Sequence, residues 1–197
     1  RQNIFGFFRP PRDQYAKMPI SAADLRAPAI WDHLGRAGKD SLILYLPLSY
    51  PPRDIRGVMV SGFMTPDHAA DWASPPGVKD EIERAVPGFR LNLDHSAIRL
   101  GQMDRFYRDA LEVLQGQVRA AVHLMGAKAW DFCFVHLHDV DSVTHQFWKH
   151  QDPAHPGHRP GNPHQGDLRD YYRAVDEAVG VLAAAAPEAA VLLYSDH

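Results

Sequence analysis

An α/β fold with a mainly parallel central sheet and helices on both faces is what this sequence predicts, and two observations carry the prediction. Three short apolar runs, Leu42 to Leu46, Asp131 to Leu137 and Ala189 to Tyr194, have the length and near-continuous character of strands buried on both sides. Amphipathic helical patterns precede and separate them, and strands alternating with helices are the pattern of a parallel sheet covered by helices.

Taken in order, residues 1 to 20 are rich in aromatics, Arg and Pro without periodicity, and read as an irregular surface segment. Ser21 or a neighbour can open a helical stretch that includes Ile30, Trp31 and Leu34 and ends near Gly38. The strand Leu42 to Leu46 follows and ends at Pro47 and the Tyr50, Pro51, Pro52 loop. Val58, Met59 and Val60 form another short extended piece. Residues 64 to 77 carry three prolines and read as a long loop, and 78 to 86 as a short helix. From Met103 to Met125, apolar residues recur at spacings of three and four, the pattern of a long helix that should pack on a sheet. After the strand Asp131 to Leu137, a short helix begins around Asp141. Residues 152 to 166 contain four prolines, three glycines and three histidines, too broken for regular structure, and are expected to form a loop over the site. Leu168 to Ala186 is a second clear helix, and Ala189 to Tyr194 a last strand.

The totals are those of one ordinary globular domain. Of 197 residues, 45% are hydrophobic and 23% charged, and 21 basic residues against 24 acidic ones give no strong field that would select nucleic acid or an anionic membrane. The single cysteine, Cys133, lies within the apolar run Phe132 to Val135 and reads as a small buried thiol; alone it can form no intramolecular disulfide. No stretch approaches the ~20 apolar residues of a membrane-spanning helix, and the N-terminus lacks a signal-peptide layout. The chain opens without methionine and stops directly after an apolar run. Both ends read as cuts, so residues 1–197 are taken as one α/β domain incomplete at both ends, with the compartment left open.

In parallel sheets, ligands bind beyond the carboxyl ends of the strands. The polar residues following the two best strands are His138, Asp139 and Asp141 in one case, and Ser195, Asp196 and His197 in the other. Asp141 and His145, four apart, project from one face of a helix and can share a cation, although such a pair is also an ordinary surface pair or helix-start cap. Asp196 and His197 are adjacent where a strand end can turn both inward. Mixed carboxylate and imidazole donors suit zinc first and manganese second, better than calcium. Two half-sites at one edge suggest two divalent ions, which at a separation of roughly 4 Å stabilise the attacking and leaving oxygens of a phosphoryl-type displacement.

The run Asp141, Ser142, Val143, Thr144, His145, Gln146, Phe147, Trp148 resembles the Asp-x-x-x-His, Phe-Trp segment of type I phosphodiesterase/nucleotide pyrophosphatase relatives in the alkaline phosphatase superfamily. The run from Leu192 to Ser195, Asp196 and His197 is similar to their strand ending in Ser-Asp-His. Tyr171, Tyr172 and Asp176 resemble their Tyr-Tyr-x-x-x-Asp helix, and Pro47, Tyr50, Pro51, Pro52, Gly57, Ser61, Gly62 and Phe63 their Pro-x-x-Tyr-Pro-Pro…Gly…Ser-Gly-Phe stretch. The resemblance spans roughly residues 20 to 197. It implies part of an alkaline phosphatase-like fold, and a metal-dependent hydrolase of small phosphate esters in which Asp141 and His145 bind one metal and Asp196 and His197 the other. It also implies a Thr or Ser nucleophile and a further metal-binding His, neither of which has a counterpart here. The nucleophile is expected upstream, and residues 1–197 alone are expected to be inactive. In the complete enzyme the metals would lower the pKa of the nucleophile hydroxyl, and a covalent intermediate would then be released by water.

Ser61 and Thr65 sit in a Gly/Pro-containing loop and read as turn formers. His138 and Asp139 are candidates for orienting a metal ligand or substrate, and His155, in an Asp-Pro-x-His element similar to the family's, for touching substrate or metal. Phosphomonoesterase, sulfatase and phosphonate hydrolase remain open within the same superfamily, as does a noncatalytic metal-stabilised binding module.

Overall fold

The computed structural model describes residues 8–9 and 18–195. The chain forms two compact units. One runs to Leu93 and resumes over Lys128–His138; the other takes Asp94–Ala127 and continues from Asp139.

The first unit holds a four-stranded sheet. Its strands are β3 (Ser41–Leu46), β4 (Gly57–Ser61), β5 (Ala73–Ser74) and β6 (Phe132–Val135), in the order β5-β4-β3-β6. β3 runs parallel to both neighbours: Ser41 to Leu44 face Gly57 to Val60 on one side and Phe132 to Val135 on the other. Only the two-residue β5 is antiparallel, pairing with Met59 and Val60. A central strand flanked on both edges carries no polar face, and Leu42, Ile43, Leu44 and Tyr45 are each at most 1% exposed. The unit's core gathers Trp31, Ile43 and Met59, with Leu46, Ile55, Phe132 and Phe134 packed against them.

Helix α1 (Ile30–Arg36) and helix α2 (Val78–Ala85) flank this sheet. The expected helical stretch from Ser21 is broken in two, because Pro28 disfavours helix at the residue before it and removes a donor. The first part is a single 3-10 turn, Ala22–Asp24, closed by the Asp24 carboxylate on the Ser21 N–H at 3.0 Å. Asp32 repeats the device for α1, accepting the Ala29 N–H at 2.7 Å. α1 stops at Gly38, whose φ of 76° is left-handed and open to glycine. A further departure lies near the start, where a two-residue antiparallel ladder, β1 (Phe8–Arg9) with β2 (Met18–Pro19), stands in the segment expected to be irregular.

The second unit is helical: α3 (Ser96–Arg99), α4 (Met103–Ala127), α5 (Asp139–Gln151) and α6 (Asp167–Ala184). α4 follows its predicted pattern, burying Phe106, Ala110, Val113, Leu114, Val118, Ala121 and Leu124. Within its unit its partners are α3, α5 and α6 rather than a sheet. Phe147 of α5 is fully buried between Phe106 and Tyr107, with ring centroids 6.3 and 5.5 Å away. Burying a side chain of this size contributes roughly 1.5–3 kcal/mol. Helix α3 has no counterpart in the sequence expectation; it is four residues long and is stabilised by Asp94, which accepts from the Ser96 N–H at 2.8 Å.

The predicted strand Ala189 to Tyr194 is not formed. These residues have no regular structure, and Val191, Leu192, Leu193 and Tyr194 are 63%, 84%, 74% and 64% exposed. An apolar run specifies that a segment gains by burial, whereas a strand also requires a neighbour for its backbone donors and acceptors. Among the described residues, no ladder includes this segment. Asp196 and His197, the two metal-ligand candidates beyond it, lie outside the described residues.

Candidate functional site

Helix α5 carries the first pair of candidates. Asp139 and Asp141 stand in its first turn, where the positive end of the helix dipole favours carboxylates, and Lys149 and His150 stand in its last turn. Asp141 and His145 lie about 40° apart around the axis and share a face. The Asp141 Oδ1 is 3.2 Å from the His145 Nε2, and their side chains are 37% and 73% exposed. Two ligands of a tetrahedral zinc with bonds of ~2.0 Å are ~3.3 Å apart, so the pair fits an ion as well as it fits an i,i+4 contact. Both donors are reachable from solvent. Among the described residues, no three His, Cys, Asp or Glu side chains gather to hold an ion by themselves.

Asp139, two positions earlier, is turned roughly 200° from Asp141 and has the opposite environment. It is 8% exposed, and burial pushes its carboxyl up to about 7. The buried Tyr171 of α6 is close enough for the Asp139 charge to add to the burial that raises its phenol. The Tyr171 hydroxyl has no hydrogen-bond partner among the described residues. A neutral Asp139 avoids placing an uncompensated charge in an interior that already holds an unpaired phenol hydroxyl. The next residue of α6, Tyr172, reaches Thr144 of α5, hydroxyl to hydroxyl at 3.1 Å, one residue before His145.

The loop of residues 152 to 166 is tied to the end of α5. His150 and Asn162 exchange two contacts: Nδ1 to Oδ1 at 3.1 Å, and the Asn162 amide to the His150 carbonyl at 3.0 Å. The His158 Nδ1 lies 3.2 Å from the Lys149 carbonyl, and the His164 Nδ1 lies 2.8 Å from Asp167. Desolvation, with the nearby charges of Lys149 and His164, holds the His150 imidazole below its ordinary range. His155 accepts the Gly157 N–H on its Nδ1 at 2.9 Å, so this ring closes a turn of the loop.

In the first unit, the carboxyl ends of β3, β4 and β6 form a tightly packed edge. Tyr45 interrupts the β3–β4 register with φ 65°, and Leu48 and Met64 are left-handed too, at 60° and 76°. Such backbone, held by non-glycine residues, persists only where surrounding contacts fix it. Gly62 lies so close to β3 that a Cβ would overlap the Tyr45 carbonyl oxygen. Its N–H donates to the Ser49 hydroxyl at 3.2 Å, and that hydroxyl donates to the Leu46 carbonyl at 2.6 Å. Ser61 and Thr65 are buried and donate to the carbonyls of Ser49 and Gly62, in keeping with hydroxyls that build turns. Phe63 stacks on His138 with centroids 4.0 Å apart and planes 20° apart, and His136 follows at 5.7 Å. Cys133 is a half-buried thiol pushed up to about 11 by burial, which suits a structural role.

Sequence reasoning identified His138 and Asp139 but missed the aromatics near them, Phe63 stacked on one and Tyr171 close to the other. The signal was faint: both aromatics stand in the motif-like stretches, yet a spacing does not reveal what a ring touches.

The family description of the type I phosphodiesterase / nucleotide pyrophosphatase family matches residues 3–197, nearly the whole chain. The chain belongs to that family. Comparison with curated proteins and with solved structures gives no match. Type I phosphodiesterases and nucleotide pyrophosphatases are phosphate-ester hydrolases, generally metal-dependent and acting on small substrates. The mostly parallel sheet flanked by helices is consistent with the alkaline phosphatase-like architecture expected of them. Among the described residues, no helix is long and apolar enough to cross a membrane.

Proposed function

We propose that this type I phosphodiesterase relative hydrolyses small phosphodiesters or nucleotide pyrophosphates at a two-metal centre, with Asp141 and His145 on one ion and Asp196 and His197 on the other. The donor set favours zinc, then manganese. The observation that carries the reading is the Asp141–His145 pair: a carboxylate oxygen and an imidazole nitrogen 3.2 Å apart, solvent-reachable, at the start of α5. Two ions, when bound, would supply Lewis acidity at the attacking and leaving oxygens.

The chain's own residues have separate tasks in this reading. Asp141 and His145 present their donors from one helical face, and the Tyr172–Thr144 contact fixes the turn between them. Asp139, neutral up to about pH 7, keeps negative charge out of the interior behind the pair. His138 orients a ligand or substrate group from a ring held by Phe63. His155 is the candidate for a substrate contact from the loop, through the ring nitrogen that does not close the Gly157 turn. The nucleophilic hydroxyl is assigned to none of the 197 residues, and the isolated chain is expected to show no turnover.

The test is metal analysis with hydrolysis of bis(4-nitrophenyl) phosphate by the naturally encoded protein, beside its Asp141→Ala and Asp196→Ala variants. Loss of bound metal and of turnover in both variants is the expected result. Unchanged metal content and rate in both would remove the site assignment.

A further inference from the structure

A second concave site lies in the first unit, away from α5 in the sequence, where residues 25–28 and helix α1 face the stretch 53–56 that leads into β4. It is a cleft of about 380 Å³ lined by four arginines, Arg26, Arg36, Arg53 and Arg56, against two carboxylates, Asp32 and Asp54. That volume is in the range of small-molecule sites. The chain as a whole is acidic, with a formal charge of −3, so this concentration of guanidinium groups stands against the average.

The arginines differ in how their charge is disposed. Arg53 lies in a fork on Asp32, Nη1 to Oδ2 at 3.0 Å and Nη2 to Oδ1 at 2.9 Å, and Asp32 is itself fixed by the Ala29 N–H. Arg56 is forked on Asp40, Nε to Oδ1 at 3.2 Å and Nη2 to Oδ2 at 3.3 Å. Both guanidiniums are therefore held in place and largely neutralised, with N–H groups left over. Arg36 is exposed and has no ion-pair partner among the described residues. It adds an unpaired positive charge to the cleft.

The wall beside these groups is apolar. Leu25, Pro28, Ile55 and Trp31 contribute to it. Trp31 is 9% exposed, and its indole Nε1 is buried with no acceptor. A buried N–H without a partner is uncommon, and with no acceptor to hold it this proton is a sensitive reporter of what packs against the ring.

We propose that this cleft binds a small organic monocarboxylate, its carboxylate on Arg36 and the rigid Arg53 and its flat apolar body against Trp31 and Ile55. A guanidinium plane matches a carboxylate in a bidentate fork. Two of the lining arginines are already forked on carboxylates and a further carboxylate, Asp54, lines the cleft, so a singly charged acid is favoured over a polyphosphate. The site is independent of the metal reading: none of its residues belongs to the Asp141–His145 pair.

The experiment follows the Trp31 indole N–H resonance in the ¹⁵N-labelled chain, assigned with Trp31→Phe, in chelator and at constant ionic strength. The probes are benzoate, the neutral benzamide, acetate and inorganic phosphate. Benzoate is expected to move the resonance saturably, and benzamide, acetate and phosphate to bind at least tenfold more weakly. Arg36→Glu, at an exposed position, is expected to weaken benzoate at least tenfold. Gly35→Leu places a side chain in the same cleft, where a Cβ already meets the Arg56 Cβ at 3.4 Å, and should weaken it as well. Asp141→Ala should leave binding unchanged. No saturable shift with benzoate, benzoate affinity untouched by Arg36→Glu, or equal affinity for benzamide would each overturn the proposal.

Discussion

The carboxyl edge of the sheet and the opening turns of α5 are joined by the chain at His138 and Asp139, yet they are built in opposite ways. The sheet edge is closed by packing: left-handed Tyr45, Leu48 and Met64, a glycine pressed on a carbonyl, hydroxyls turned onto backbone, and a ring stacked on His138. The start of α5 instead sorts two acids by face, one buried and one 37% exposed on an imidazole. The first region fixes backbone positions and offers few ionisable groups. The second has the groups that can bind a cation or change protonation near neutral pH. A scaffold and the surface proposed to react are thus distinguishable by what each buries.

The sharpest way to break this comparison sets one histidine from each region against the other. In the naturally encoded protein, His145→Ala is expected to lower kcat for bis(4-nitrophenyl) phosphate by more than the 10–100-fold typical of losing a group that only orients a ligand. His138→Ala should fall within that 10–100-fold range. If the His138 variant were the more damaged of the two, with metal content retained in both, the sheet edge would be the reactive region and α5 the support.

Asp139 gives the next largest effect, through pH. Its carboxyl titrates near 4 when unfolded and is pushed up to about 7 by burial when folded. Between those values the folded chain holds a proton the unfolded chain has lost. Stability in chelator is therefore full below about pH 4, falls as pH rises toward about 7, and levels beyond it, a span of a few kcal/mol. Urea unfolding from pH 4 to pH 8 should show this decline, and Asp139→Asn should flatten it. A wild-type midpoint rising over that window would contradict the burial of this carboxyl.

Gly62→Ala tests the scaffold side. Its Cβ would meet the backbone of β3, which cannot swing away as a side chain can, and overpacking of this kind costs typically 1–3 kcal/mol. A thermal midpoint equal to wild type would show that the edge is looser than its contacts indicate.

How much of this was legible depends on the kind of interaction. α4 and α6 could be read because their apolar positions repeat at helical spacing over many residues, and β3 because Leu42 to Leu46 is an unbroken apolar run. Ala189–Tyr194 is as continuously apolar as β3 and reads the same way, yet Val191 to Tyr194 are exposed. Pattern encodes the tendency to be buried but not the identity of the neighbouring strand. The Asp141–His145 pair was legible because helical periodicity alone puts the two on one face. The contrast between Asp139 and Asp141 was not, since it depends on which face of α5 the rest of its unit buries. The cleft around Arg36 and Arg53 was missed for a similar reason: its arginines are scattered through residues without motif spacing, and the Asp32–Arg53 fork spans twenty-one positions.

The smallest effect expected is at Phe63, and it separates position from stability. Phe63→Leu keeps most of the apolar volume and removes the ring that stacks on His138 at 4.0 Å. Such ring pairs contribute about 0.5–1.5 kcal/mol beyond burial, so the unfolding free energy should fall by no more than that. If the stack also holds the imidazole for a task in turnover, the pH profile of kcat should shift while metal content stays constant, and Phe63→Tyr, which keeps a ring, should restore it. A profile identical in all three proteins would reduce the stack to packing and leave His138 without a role at the site.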